Sequence, residues 1–156
     1  MGAGGWDYVT EYEGSVEASL SALQARVFAE EFGEAGAYPD LAALWADHEF
    51  MGTQGTHTIL DVVKVFPGPE EEDGTVRPLP ADRVRHHFGT DRPTRDRFEE
   101  LIARAWGAMN QHDYEASLVG EGELRWSGLY VLLYSADAGD AGDEPTHVGF
   151  YGSSGH

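Results

Sequence analysis

Apolar side chains recur along this chain with two periods, and the changes of period divide it into elements. Residues 6–13 alternate, Trp6 and Tyr8 against Asp7, Thr10 and Glu11, which predicts a first strand punctuated by Gly14. Ser15 then suits a helix N-cap, and Val16, Leu20, Leu23, Val27 and Phe28 recur at intervals of three and four until Gly33. That spacing predicts an amphipathic helix. Pro39 and Asp40 open a shorter helical stretch, with Leu41, Leu44 and Trp45 on one face, closing near Gly52.

Residues 56–66 are dense in apolar and β-branched side chains from Ile59 to Phe66 and end at Pro67-Gly68, which predicts a central strand. Four consecutive acids from Glu70 to Asp73 predict a solvated, mobile loop over 69–75. Pro80, Val84, Phe88 and Gly89 outline a short helix. After Thr94 as a cap, Phe98, Leu101, Ile102, Ala105, Trp106 and Met109 follow the spacing of a core-facing helix. Residues 124–134 read as a long buried strand and 146–151 as its hairpin partner, joined by a second mobile acidic turn over 137–144, with an extra strand possible near 114–119. The sum is a single α+β domain spanning 1–156. We expect a mostly antiparallel sheet of four or five strands with about four helices on one face.

Charge narrows the partners. The chain has 28 acidic residues against 10 Lys and Arg, a formal charge of −18, and Lys64 is its single lysine. Attachment to phosphate backbones or anionic lipids depends on Lys and Arg displacing counterions, so neither nucleic acid nor membrane is an expected partner. A basic protein or a cationic small molecule would be attracted. Arginine-rich, lysine-poor composition with abundant Ala, Gly and Asp reads as codon bias of a high-GC bacterial genome. The absence of cysteine excludes disulfides, thiolate zinc sites and a cysteine nucleophile. The opening residues carry neither a charged n-region nor a long apolar run, and the expected location is the cytoplasm.

The sharpest local signal is an excess of arginine. Arg83, Arg85, Arg92, Arg95 and Arg97 meet only Asp91 and Asp96 between positions 83 and 97, with His86 and His87 inside the same segment. At the junction of two helices, Arg83, Arg92, Arg95 and Arg97 are candidates for holding a carboxylate or phosphate. His57 and Asp61 are the candidate catalytic pair of an alternative, enzymatic reading. In a straight strand they share one face about 13 Å apart, too far to bond each other. No HExxH or HxH spacing marks a metal site, and the three-residue repeat Asp137, Asp140, Asp143 lacks the alternating ligands of an EF-hand loop. Nor is there a GxGxxG after a strand, a GxxxxGK[ST] or a GxSxG, so no cofactor is expected.

Charge without a catalytic signature favours a small acidic binding or inhibitory protein, an immunity-type protein or adaptor, acting on a basic protein. The alternative is a small enzyme or ligand-binding protein of bacterial specialised metabolism. Its pocket would lie between sheet and helices, with Trp45, Trp106, Trp126 or Tyr130 in the lining, a histidine base and an arginine anion anchor.

Overall fold

The structure is a computed structural model that describes residues 5–32, 38–53, 56, 58–65, 74–121, 127–135 and 144–153. His57, Trp126 and most of the two acidic loops expected over 69–75 and 137–144 lie outside the described residues. Five strands form one sheet: β1 (Gly5–Glu11), β2 (Lys64–Val65), β3 (Thr75–Pro78), β4 (Ser127–Leu133) and β5 (His147–Ser153). Their order across the sheet is β1-β5-β4-β3-β2. β5 is antiparallel to both β1 and β4, whereas the β4–β3 and β3–β2 pairs are parallel. The sheet is therefore mixed rather than mostly antiparallel.

Among the described residues six α-helices, rather than about four, accompany it: α1 (Val16–Phe32), α2 (Leu41–Ala46), α3 (His48–Thr53), α4 (Ala81–Phe88), α5 (Arg95–Trp106) and α6 (Gln111–Ala116). They cover both faces of the sheet, which corrects the one-sided packing expected from sequence. Side chains alternate across a strand, so β4 sends Tyr130 and Leu132 into one core and Leu129, Val131 and Leu133 into the other. The first core joins them to Trp6, Val148 and Phe150 and to Leu20, Leu23 and Val27 of α1 and Leu44 of α2. The second is built on Phe98, Ile102 and Ala105 of α5, Phe88 of α4, and Tyr151. The connection from β1 to β2, which links the two edges of the sheet, thus supplies one helical layer, and the crossover that the parallel neighbours β3 and β4 require supplies the other.

Local chemistry explains where the expected elements moved. The apolar run after Thr56 forms a 3-10 turn, Ile59–Asp61, and only the two-residue edge strand β2, instead of a long central strand. Asp61 Oδ1 accepts from Thr56 N at 2.6 Å and from Thr56 Oγ1 at 2.9 Å, and Thr58 Oγ1 accepts from Leu60 N at 3.1 Å. Side-chain oxygens so placed satisfy a turn in competition with a ladder. The turn still buries Ile59, Leu60 and Val62 completely. Its carbonyls are met from the helices: Gln24 Nε2 donates to Ile59 O at 3.3 Å and Val62 O at 2.5 Å, and Trp45 Nε1 to Leu60 O at 2.8 Å.

The central place expected for that strand falls to β3, where a loop was expected as far as Thr75. Gly74, at φ +76°, turns the chain into it, a conformation glycine adopts without steric cost. Residues expected as an extra strand near 114–119 instead form α6, capped by Asn110 Oδ1 accepting from Asp113 N at 2.8 Å, and the start of a 3-10 turn, Val119–Glu121.

Candidate functional site

Arg83 and His87 stand one turn apart on α4, which places them on one face of that helix. Both reach Glu121. Arg83 Nη2 and Nε lie 2.6 and 3.0 Å from Glu121 Oε2, and His87 Nε2 is 2.7 Å from the same oxygen. The His87 side chain is only 6% exposed, so this contact is sheltered. Burial pushes the Glu121 carboxyl up, but hydrogen bonds from Arg83 and His87 outweigh it, and the group titrates below its ordinary value of 4.5. Behind them the buried Tyr151 phenol is driven well above 10.0, first by burial and then by the Glu121 charge, with Arg77 opposing. Tyr151 therefore stays neutral throughout the physiological range.

A pH prediction follows from the depressed Glu121 carboxyl. A lowered carboxyl stabilises the fold above its unfolded value and loses that contribution as pH falls through the folded one. Glu121→Gln is expected to cost about 1–2 kcal/mol at neutral pH, and its gap to the unsubstituted protein should close on acidification below 4.5. Urea titrations at pH 7 and pH 3 check this; a gap independent of pH contradicts the assigned ion contacts.

His87 also borders an open cleft of about 520 Å³ between α4, α5 and α6. One wall presents His86, whose ring meets that of His87 edge-on with centroids 4.9 Å apart. α5 contributes Arg97, Leu101, Arg104 and Ala105, spaced to share one helical face. The buried Leu118 closes its floor, and Met109, 94% exposed, stands at the cleft. Arg97 Nη1 and Arg104 Nη2 converge on one oxygen, Glu100 Oε1, at 2.8 and 3.0 Å.

The four arginines singled out in the sequence go to separate partners. Arg83 turns to Glu121, Arg95 to Glu99 at 3.1 Å, and Arg97 to Glu100 and the cleft. The Arg92 guanidinium lies 4.3 Å from the centroid of the Tyr134 ring. Tyr134 is itself fixed to the α4–α5 junction, its N donating to Pro93 O at 2.8 Å. Beside that junction Leu79, Val84, Pro93, Tyr130 and Tyr134 surround a smaller hollow of about 210 Å³ at the carboxyl ends of β3 and β4.

The proposed catalytic pair fares differently. Asp61 is buried as the acceptor that folds its own turn, and His57 is outside the described residues. Glu121, Tyr151 and Arg77 were not singled out by sequence reasoning; the one-turn spacing of Arg83 and His87 was the available clue to a shared acidic partner. Of the aromatic lining candidates, Tyr130 does border a hollow, whereas the Trp106 ring covers Gly5 and its Nε1 donates to Asp7 Oδ1 at 3.0 Å.

The two helical layers differ sharply in charge. The described residues of β1 and the α1–α3 layer, 5–32 and 38–53, contain nine acids and a single Lys or Arg, Arg26. Residues 81–121, which form the layer of α4, α5 and α6, contain six arginines against eight acids. The corner where β1 leads into α1 is acidic on three exposed residues, Glu11, Glu13 and Glu17, and Glu144 lies on the chain just before Thr146, whose carbonyl accepts from Tyr12 N at 3.0 Å.

Among the described residues no group of three or more His, Asp or Glu is placed to hold a metal ion, and no helix is long and apolar enough to cross a membrane. Comparison with protein-family models, curated proteins and solved structures finds no match to this chain.

Proposed function

We propose that this chain is a small binding or inhibitory protein whose acidic β1 and α1–α3 layer docks a basic protein partner. The observation that carries this reading is the segregation of charge: among the described residues, nine acids and one arginine in one layer, eight acids and six arginines over 81–121 in the other. Uniform acidity would serve solubility alone, whereas a one-sided field orients a basic partner and raises its encounter rate. Surface ion pairs such as Arg95–Glu99 and Arg104–Glu100 belong to the α4–α6 layer. The exposed Glu13, Glu17, Glu30 and Glu31 form no such pair among the described residues.

The test compares three proteins in pull-downs from host lysate at low salt. A basic protein captured by the unsubstituted chain and released by salt should be lost by the Glu13→Lys, Glu17→Lys, Glu30→Lys, Glu31→Lys variant. The same protein should persist on an Arg95→Gln, Arg104→Gln variant. Capture that ignores the glutamate reversal, or no capture at all, overturns the proposal. A second reading, ligand binding between helices, is favoured by one specific observation, the cleft beside His87.

A further inference from the structure

We propose that the cleft between α4, α5 and α6 is a binding site for a small amphipathic carboxylate, an acid carried on an aromatic or branched apolar body. The site lies on the layer opposite the acidic face and stands independently of the docking reading.

Size comes first. At about 520 Å³ the cleft falls within the range of pockets that hold drug-sized ligands, and an inorganic anion would leave most of it to water. Its surface is of two kinds, as an amphipathic ligand requires. Leu101 and the exposed Met109 supply the accessible apolar part, above a floor closed by the buried Ala105 and Leu118. Methionine is flexible and polarisable and suits closing over an irregular apolar group.

The polar part favours an anion. Arg97 and Arg104 share the single Glu100 oxygen, so each of these five-donor groups commits one N–H to it and keeps others for a ligand. Their side chains are 39% and 66% exposed, which leaves those donors accessible. A planar carboxylate can take two parallel N–H bonds from a guanidinium. His86 adds a ring N–H donor. The one acid in the lining, Asp113, is already engaged, its Oδ2 accepting from Asn110 Nδ2 at 3.0 Å. The formal charge of −18 does not prohibit this site. The acidic layer is on the far side of the sheet, and the Debye length at physiological salt is about 8 Å.

The experiment titrates the full chain with 2-naphthoate, following methyl resonances of Met109, Leu101 and Leu118 by NMR and heat by calorimetry. Neutral 2-naphthamide and inorganic phosphate are the comparison probes. Saturable naphthoate binding that shifts these methyls is expected, at least tenfold tighter than naphthamide and than phosphate, and weakened at least tenfold in Arg97→Gln, Arg104→Gln. Neither arginine belongs to either core, and an unchanged thermal midpoint verifies that the double variant folds. Absent saturation, shifts confined to other regions, naphthamide binding as tightly, or full retention in the double variant would each overturn the proposal. Phosphate binding as tightly as naphthoate would overturn the amphipathic assignment.

Discussion

Phe98→Ala should lower the unfolding free energy by about 3–5 kcal/mol, the usual range for deleting a fully buried aromatic. Phe98 is completely buried at the centre of the core between α5 and the sheet, 6.0 Å between ring centroids from Tyr151. Its ring lies directly on Gly149 of β5: a Cβ added there would stand 2.6 Å from Cζ. The absence of a side chain at 149 is what admits the aromatic so close to the strand. Gly149→Ala alone should therefore cost about 1–3 kcal/mol by overpacking, yet cost markedly less in the Phe98→Ala background, where the space has been vacated. A double-mutant cycle in urea measures this coupling. Additive losses would contradict the packing of ring against glycine.

The second large effect belongs to the other face. Trp6 of β1 pairs with Gly152, which pairs with Gly128, and the indole extends over both glycines. A Cβ at Gly128 would meet Trp6 Cη2 and the Tyr151 carbonyl oxygen, each at 2.6 Å. The indole can shift, but the carbonyl belongs to the ladder and cannot shift without breaking it. Gly128→Ala is expected to cost about 1–3 kcal/mol and to move Trp6 toward solvent, seen as red-shifted, more quenchable tryptophan emission. Gly107→Ala is the control, since a Cβ there meets nothing closer than Ala103 O at 3.4 Å. Equal stability of the two variants would refute the assignment of the indole to the glycine pair.

Both predictions rest on elements that were legible in the sequence. α1, α5 and the β4–β5 hairpin lie close to their expected positions, and in α5 period and cap coincide, Thr94 Oγ1 accepting from Arg97 N; Trp106 and Met109, expected on the core face of that helix, are instead exposed, with Met109 beyond its end. The run Leu129–Leu133 also held the sign that both faces of the sheet are covered, since such a strand is apolar without alternation. What was not legible lies between 56 and 78. There hydroxyl and carboxyl groups of Thr56, Thr58 and Asp61 outweigh β-propensity, and the apolar residues are buried by a turn instead of a strand. β3 was obscured by its four-residue length and terminal Pro78, signals that ordinarily weigh against a central strand.

The candidate sites show the same division. The charge of the two layers is readable residue by residue, but that they occupy opposite sides of the sheet is a matter of topology. The meeting of His87 with Glu121 spans 34 positions and joins α4 to the turn after α6. No local pattern encodes such a pair. Arg97 and Arg104, by contrast, bracket Glu100 on one helix and were within reach of a spacing argument.

The position of β5 has a kinetic consequence. Among the described residues β1 is joined to the rest of the sheet only through β5, which sets Gly5 opposite Ser153 and Glu11 opposite His147 at one edge while pairing with β4 at the other. The β4–β5 hairpin can form from nearby residues, but the first strand must wait for partners from the far end of the chain before it has any ladder. Closing so long a loop is an entropic search that precedes its reward. Sheet completion should accordingly be the late event in refolding, with Trp6 burial lagging behind assembly of the α5-side core and exchange protection of β1 amides appearing last.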